Sequence, residues 1–224
     1  MSNPIVVSGT DTGVGKTWVT ARLASLLTSR GETIAVRKPV QSFDPDDGPT
    51  DADVLGAALG ADPTTVCPAH RWYEIPLAPP MAAAALGRPA IELRALVEET
   101  VTPARATTLI EGVGGARSPL AEGADTVALA EAFDAAFVIL VAPSGLGAIN
   151  AVRLSADAFS RAPVIVFLNR FDDSDDTHVR NLDWLHRKDG FHVCTSISEL
   201  ANVLESRNQN ASQEHEASPP MEVG

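Results

Sequence analysis

The chain of 224 residues has little of what would tie it to a membrane, an oxidising compartment or a nucleic acid. It has only two cysteines, Cys67 and Cys194, too far apart for a zinc or redox spacing, which points to a reducing compartment. None of its five histidines forms a His-x-x-x-His pair, and no G-x-S-x-G, H-E-x-x-H or Cys/His signature occurs, so no protein nucleophile is indicated. No uninterrupted apolar stretch approaches the roughly 18 residues of a membrane span. The N-terminus enters Pro4-Ile5-Val6-Val7 without a basic n-region or a long apolar h-region. A cytoplasmic protein with no membrane partner is expected. Basic residues are outnumbered, 17 Lys and Arg against 29 Asp and Glu, and the formal net charge of −12 repels a phosphate backbone, which argues against a nucleic-acid partner.

What is present is a series of short apolar runs bounded by turn signals: Ile5-Val6-Val7, Thr33 to Val36, Leu109-Ile110, Phe137 to Val141 and Val164 to Leu168. Each is nearly continuous in hydrophobicity rather than alternating, as buried strands of a parallel sheet covered on both faces must be. Between them lie segments of helical spacing. One carries Val19, Leu23, Leu26 and Leu27 ahead of Gly31, and others run over 51–59, 91–100, 125–133 and 149–159. The alternation predicts a doubly wound α/β fold with a mostly parallel sheet and helices on both faces. No internal repeat or Gly/Ser linker divides it, so residues 1–204 are expected to form one domain. Residues 205–224, rich in Ser, Asn, Gln, Glu and Pro, are expected to be a disordered polar tail.

The segment Gly9-Thr10-Asp11-Thr12-Gly13-Val14-Gly15-Lys16-Thr17 follows a predicted strand and opens a predicted helix. Small residues there let successive backbone N–H groups converge on one anion, and the helix dipole acts on the same point. This is the layout of a P-loop, in which Lys16 reaches the β- and γ-phosphates of ATP and the Thr17 hydroxyl serves Mg²⁺. The spacing has five residues between Gly9 and Gly15 instead of the standard four, with Thr10 at the usual first-glycine position.

Further polar residues fall at the carboxyl ends of strands, where open α/β sheets bind ligands: Lys38, Glu111 and Asn169. Glu111 runs into Gly112-Val113-Gly114-Gly115, a backbone free to approach a substrate closely and donate N–H groups to it. Its carboxylate could share a magnesium shell with Thr17, completed by an aspartate from the acidic stretch 44–53, either Asp51 or Asp53. With no nucleophile of its own, such a protein supplies cations and positioning while the substrate supplies the nucleophile.

Taken in order, the loop Gly9 to Thr17, Lys38-Pro39-Val40-Gln41-Ser42, Glu111-Gly112-Val113-Gly114-Gly115 and Gly145-Leu146-Gly147-Ala148-Ile149-Asn150 resemble the ATP-dependent dethiobiotin synthetases, P-loop enzymes of biotin synthesis. The resemblance covers about residues 4 to 170, and the five-residue loop spacing is that family's form. It implies a homodimeric ligase that closes a ureido ring on 7,8-diaminononanoate with CO2 and ATP, using Mg²⁺. It further implies Lys16, Lys38 and Thr12 as catalytic, and Gly13, Val14, Gly15, Lys16 and Thr17 on the ATP phosphates with Asn169 on adenine. Ser42, Gly112 to Gly115, Gly147 and Asn150 would contact the substrate, Asn150 acting from across the dimer interface. Thr17, Asp51 and Glu111 would hold the metal, the choice of Asp51 over Asp53 coming from the family pattern. Two departures stand out: Phe43 occupies a usual glycine position, and His192 to Ser196 replaces a Leu-Gly-x-Ile-Pro segment. Two related readings accompany this one. The first is another P-loop amidoligase; the second is a nucleotide switch like the partition ATPases, which carry a second lysine near the loop start, where this chain has Asp11.

Overall fold

The five apolar runs and the short segment 192–194 form one parallel sheet because neither face of it is left to water. The computed structural model describes residues 3–216. The chain begins with β1 (Ile5–Gly9), α1 (Lys16–Ser29), β2 (Ile34–Arg37), β3 (Gln41–Ser42), α2 (Asp51–Leu59), α3 (Pro63–Val66), β4 (Trp72–Tyr73), α4 (Pro79–Ala85) and α5 (Leu93–Glu99). It continues through β5 (Thr107–Glu111), β6 (Pro119–Ala121), β7 (Ala124–Asp125), α6 (Thr126–Ala132), β8 (Phe137–Pro143) and α7 (Ala148–Ala156). It closes with β9 (Val164–Asn169), α8 (Asp176–Asp183), β10 (His192–Cys194) and α9 (Ile197–Glu216).

The strand order is β10-β9-β8-β1-β5-β2, with every neighbouring pair parallel. β1 sits inside the sheet, with Ile5 opposite Leu109 of β5 on one side and Phe137 of β8 on the other. The chain first builds outward from β1 to β2 and later crosses to β8 and β9, so the order reverses beside β1. At such a reversal the connections diverge and leave a crevice outside the carboxyl ends of the strands. Two short ribbons, β3 with β4 and β6 with β7, flank that crevice.

Along the strands, successive side chains enter different layers. Ile5, Val7, Leu109, Ile139 and Phe167 pack with Leu23, Leu55 and Leu204, under α1, α2 and α9. Val6, Ile110 and Val138 pack with Ala82, Leu96 and Leu129, under α4, α5 and α6. Leu140, Ala142, Val166 and Leu168 lie against Val152 of α7. Both cysteines are free and buried, and burial pushes their thiols up, Cys67 to about 12 and Cys194 to about 11. Among the described residues, no helix is long and apolar enough to cross a membrane.

The tail differs from expectation. Residues 205–216 continue α9 instead of forming a disordered segment, while 217–224 lie outside the described residues. The helix is started by reciprocal bonds between Ser196 and Glu199 and anchored by buried Leu200, Ala201 and Leu204. Arg30, which caps the C-terminal end of α1, then bonds Asn202 and Glu205. Once nucleated, a helix extends at little cost per residue.

Leu200 is fully buried against α1, so Leu200→Ala should lower unfolding stability by about 2–5 kcal/mol, read from the urea midpoint at unchanged slope.

Candidate active site

The loop from Gly9 to Thr17 is shaped by its glycines and tied down from neighbouring strands. Gly13 and Gly15 have φ of 75° and 99°, and a Cβ on Gly15 would stand 2.2 Å from the Asn169 amide nitrogen. That close approach lets Asn169 Nδ2 donate to the Val14 carbonyl at 2.8 Å, while Thr10 N donates to Val141 O at 2.9 Å. The loop is therefore held by β8 and β9 before any ligand arrives. Lys16 lies buried at the start of α1 and donates to the Asp11 carbonyl at 3.1 Å, curling back over the loop. Burial first, and then the nearby ammonium of Lys38, hold Lys16 below the ordinary lysine value.

Beside the loop, three elements bring charges together. Lys38 follows β2, Glu111 ends β5 and Asp51 opens α2; Lys38 meets both carboxylates, and both carboxylates meet the Thr17 hydroxyl of α1. Lys38 Nζ lies 2.5 Å from Asp51 Oδ2 and 2.7 Å from Glu111 Oε1. The Thr17 hydroxyl is 2.7 Å from Asp51 Oδ1 and 2.9 Å from Glu111 Oε1, so one proton faces two carboxylates. Glu111 is completely buried and Lys38 is 2% exposed, whereas the Asp51 side chain remains 43% exposed toward the crevice. Burial works against the charge on Lys38, but Glu111 and then Asp51 raise it above the ordinary lysine value. Burial likewise opposes the Asp51 charge, and Lys38 outweighs it, holding that carboxyl below its ordinary range.

Helix capping sends Asp51 and Asp53 to different partners. Thr50 caps α2 by accepting from Asp53 N, while Asp53 Oδ2 accepts from Thr50 N at 2.8 Å and from the Thr50 hydroxyl. Asp53 is thus committed to the helix terminus, and Asp51 turns to Lys38 and Thr17. Gln41, which the sequence offered only as part of a motif, fixes the same terminus: its Oε1 accepts from Ala52 N and its Nε2 donates to Thr50 Oγ1.

The glycine segment after Glu111 packs directly on the phosphate loop. A Cβ on Gly112 would lie 2.5 Å from the Thr126 side chain, and one on Gly115 3.1 Å from Thr10 O. Gly115 N donates to Ser118 Oγ, so Ser118, missed in the sequence, closes this segment into a turn. A cavity of about 450 Å³ opens between the two loops. Thr12, Gly13, Gly15, Lys16, Thr17, Lys38, Ser42 and Asp51 line it on one side, with Val113, Gly114 and Ser118 opposite. Its outer wall is Pro76-Leu77-Ala78, held by a 2.6 Å bond from the Ser42 hydroxyl to Leu77 O. No sequence signal marked that wall.

Other expected site residues stand elsewhere. Asn169 borders a second cavity of about 560 Å³ on the far side of Gly15, formed with Trp18, Arg170, Phe171 and Thr195 to Ile197. Gly147 and Asn150 begin α7 on the surface and do not line the first cavity within one chain. Their turn is fixed from α8: Asn181 Nδ2 donates to Ser144 O and Gly145 O, and the Ser144 hydroxyl donates to Asn169 O. Asn181 was also missed. Phe43, the departure in the second motif, packs edge-on against Trp72 outside the cavity, with its N–H on Tyr73 O.

Comparisons with known proteins give the family. A family model described as an AAA domain matches residues 3–205. An ATP-dependent dethiobiotin synthetase from Haloferax mediterranei is 38% identical over 178 residues, covering 77% of this chain and 74% of the relative. This chain belongs to the ATP-dependent dethiobiotin synthetase family. Family members from Anaeromyxobacter sp. and Mycobacterium avium are 36% and 42% identical, covering 78% and 70% of this chain and 80% and 68% of their own lengths. In fold, the chain is similar to a putative plasmid partition protein from Borrelia burgdorferi bound to AMPPNP, with a TM-score of 0.57 at 17% identity over 93% of this chain and 99% of that one. That likeness carries the P-loop architecture and nothing of activity.

The two aspartates should separate by measurement. Asp53→Ala removes a cap and should cost about 1 kcal/mol of stability with turnover largely kept. Asp51→Asn should leave stability little changed and abolish most turnover, measured by denaturant unfolding and phosphate release. Lys38→Met strands Glu111 without its buried cation, which should destabilise the fold by about 3–5 kcal/mol.

Proposed function

We propose that this protein is an ATP-dependent dethiobiotin synthetase acting on 7,8-diaminononanoate, CO2 and ATP to give dethiobiotin, ADP and phosphate. The observation that carries the reading is the meeting of Lys16, Lys38, Thr17 and Asp51 at one mouth, with Glu111 buried behind them, facing a glycine turn across a cavity sized for a small substrate. The family's name supports the ATP dependence and the product.

In the proposed reaction, one substrate amine adds to CO2 and loses a proton, leaving a carbamate. A carbamate oxygen attacks the γ-phosphorus of ATP, the bond to the bridging oxygen breaks, and ADP departs. The second amine attacks the carbamoyl carbon, phosphate leaves with its oxygen, and the amine proton passes to solvent as the ring closes. No protein nucleophile enters, so the residues act by charge and position. The N–H groups of Gly13 to Thr17 and the start of α1 face the phosphates. Lys16 and Lys38 oppose the charge that spreads over the transferring phosphoryl oxygens. Lys38 suits this role because its carboxylate partners keep it protonated. Thr12 and Ser42 contact the carbamate or phosphate, and the turn Gly112 to Gly115 lies along the diamine.

The residues fit a magnesium ion. All the donors at Thr17, Asp51 and Glu111 are oxygens, and Glu111 Oε2 is buried without a partner among the described residues. Two carboxylates and a hydroxyl make an incomplete cage, which suits a cation that fills its shell with phosphate oxygens and water. When bound, it would supply positive charge against the phosphate oxygens.

We further propose a homodimer in the cytoplasm. Asn150 would read the substrate's distal carboxylate in the partner's cavity, with Gly147 shaping the turn. Leu146, 96% exposed beside Asn150, and Leu154, 67% exposed on the same helix, give an apolar surface for the second copy to cover.

Phosphate release from ATP should rise sharply when diaminononanoate and bicarbonate are both present; release indifferent to the diamine would sink the synthetase reading. Lys16→Ala should fold normally and lose turnover by orders of magnitude, whereas Glu111→Gln should raise the Mg²⁺ concentration required. Leu146→Asp should shift sedimentation from dimer to monomer and raise the KM for the diamine; an unchanged sedimentation coefficient would remove this face from the interface.

A further inference from the structure

The second cavity bears on nucleotide choice, an inference that rests on the loop binding a nucleoside triphosphate. Gly15 lines both cavities. With the terminal phosphate at Lys16 and Lys38, the nucleoside must leave the loop on its other side, and the cavity of about 560 Å³ is the space there. Trp18 stands at its edge in the first turn of α1, with 51% of its surface exposed and no side-chain hydrogen bond among the described residues. An indole held half out of water beside a phosphate loop offers a flat π face, and base stacking on such a face does not depend on which base is present.

The groups that could read a base edge are largely committed elsewhere. Asn169 uses one amide hydrogen on Val14 O, and its oxygen accepts from Arg170 N. Thr195 N and Ser196 N both donate to the Glu199 carboxylate, as does the Thr195 hydroxyl, while Ser196 Oγ accepts from Glu199 N. That segment therefore caps α9 instead of facing a ligand. The uncommitted side-chain protons are one on the Asn169 amide, those of the exposed Arg170 guanidinium and that of the Ser196 hydroxyl. Acceptors for them occur on adenine, guanine and cytosine alike. We propose that Trp18 is the stacking platform for the base, and that this enzyme binds ATP, GTP and CTP with little discrimination.

Calorimetric titration of the full chain with Mg²⁺ and ATP, GTP, CTP or inorganic tripolyphosphate tests this. The wild-type chain should bind the three nucleotides within about tenfold of one another and each more tightly than tripolyphosphate. Trp18→Leu, which keeps an apolar cover without the ring, should weaken every nucleotide about tenfold or more and leave tripolyphosphate unchanged. Trp18→Phe should retain most of the affinity. ATP preferred by more than a hundredfold, or a leucine variant indistinguishable from wild type, would overturn the proposal. So would an equal loss of tripolyphosphate binding, which marks a change in the loop itself. Tripolyphosphate binding as tightly as the nucleotides overturns the platform and leaves the phosphate loop standing; a wild-type chain that binds none of the four overturns both.

Discussion

The ammonium of Lys38, buried between the carboxylates of Asp51 and Glu111, is the interaction on which the site depends. The charges of Lys38 and Glu111 could not be withdrawn from water unless each met its opposite at close range, since the desolvation penalty of an unpaired ion exceeds what a small domain can absorb. Their meeting in turn fixes where three elements end. β2 must deliver Lys38, β5 must stop at Glu111, and α2 must begin so that Asp51 points inward. Thr17 then completes the junction from α1. A change at any one of these ends would disturb the other three.

That junction works only because the groups around it, most of them uncharged, hold its shape. The Thr50–Asp53 cap and Gln41 set the rotation of α2, which decides which aspartate faces the cation. Asn169 holds the phosphate loop from β9, and Asn181 holds the turn before α7 from α8. These amides bond main-chain carbonyls, so they define loop shape without adding charge to a site that already contains several. The glycines supply the complement: at Gly15 and Gly112, neighbouring side chains occupy the volume that a Cβ would need.

Much of this was legible in the sequence, and the reason differs from part to part. Buried parallel strands carry their signature in continuous apolar runs, so Phe137 to Val141 and Val164 to Leu168 could be read directly. The phosphate loop, Lys38 and Glu111 could be read because each lies at a strand end whose position the runs fix. Long-range partnerships had no such signal. Nothing local marks Asn181 as the partner of Ser144, or Pro76 to Ala78 as a cavity wall, because those contacts arise between elements distant in sequence. Asp51 and Asp53 differ only in which way a capped helix turns them, and from residue types alone the two were equivalent. The start of α9 failed for another reason: Ser196 and Glu199 spelled a capping box, but the polar composition downstream masked it.

The neutral amide ties described above separate the form of this site from its electrical state. Acid would protonate the Asp51 carboxylate that Lys38 holds below its ordinary range, yet the amides of Asn169 and Asn181 carry no titrating proton and would go on gripping their carbonyls. Salt would weaken the partly exposed Asp51 contact and leave the same amides nearly untouched. The anion nest could therefore persist, correctly shaped but wrongly charged, in solutions that had already silenced the chemistry.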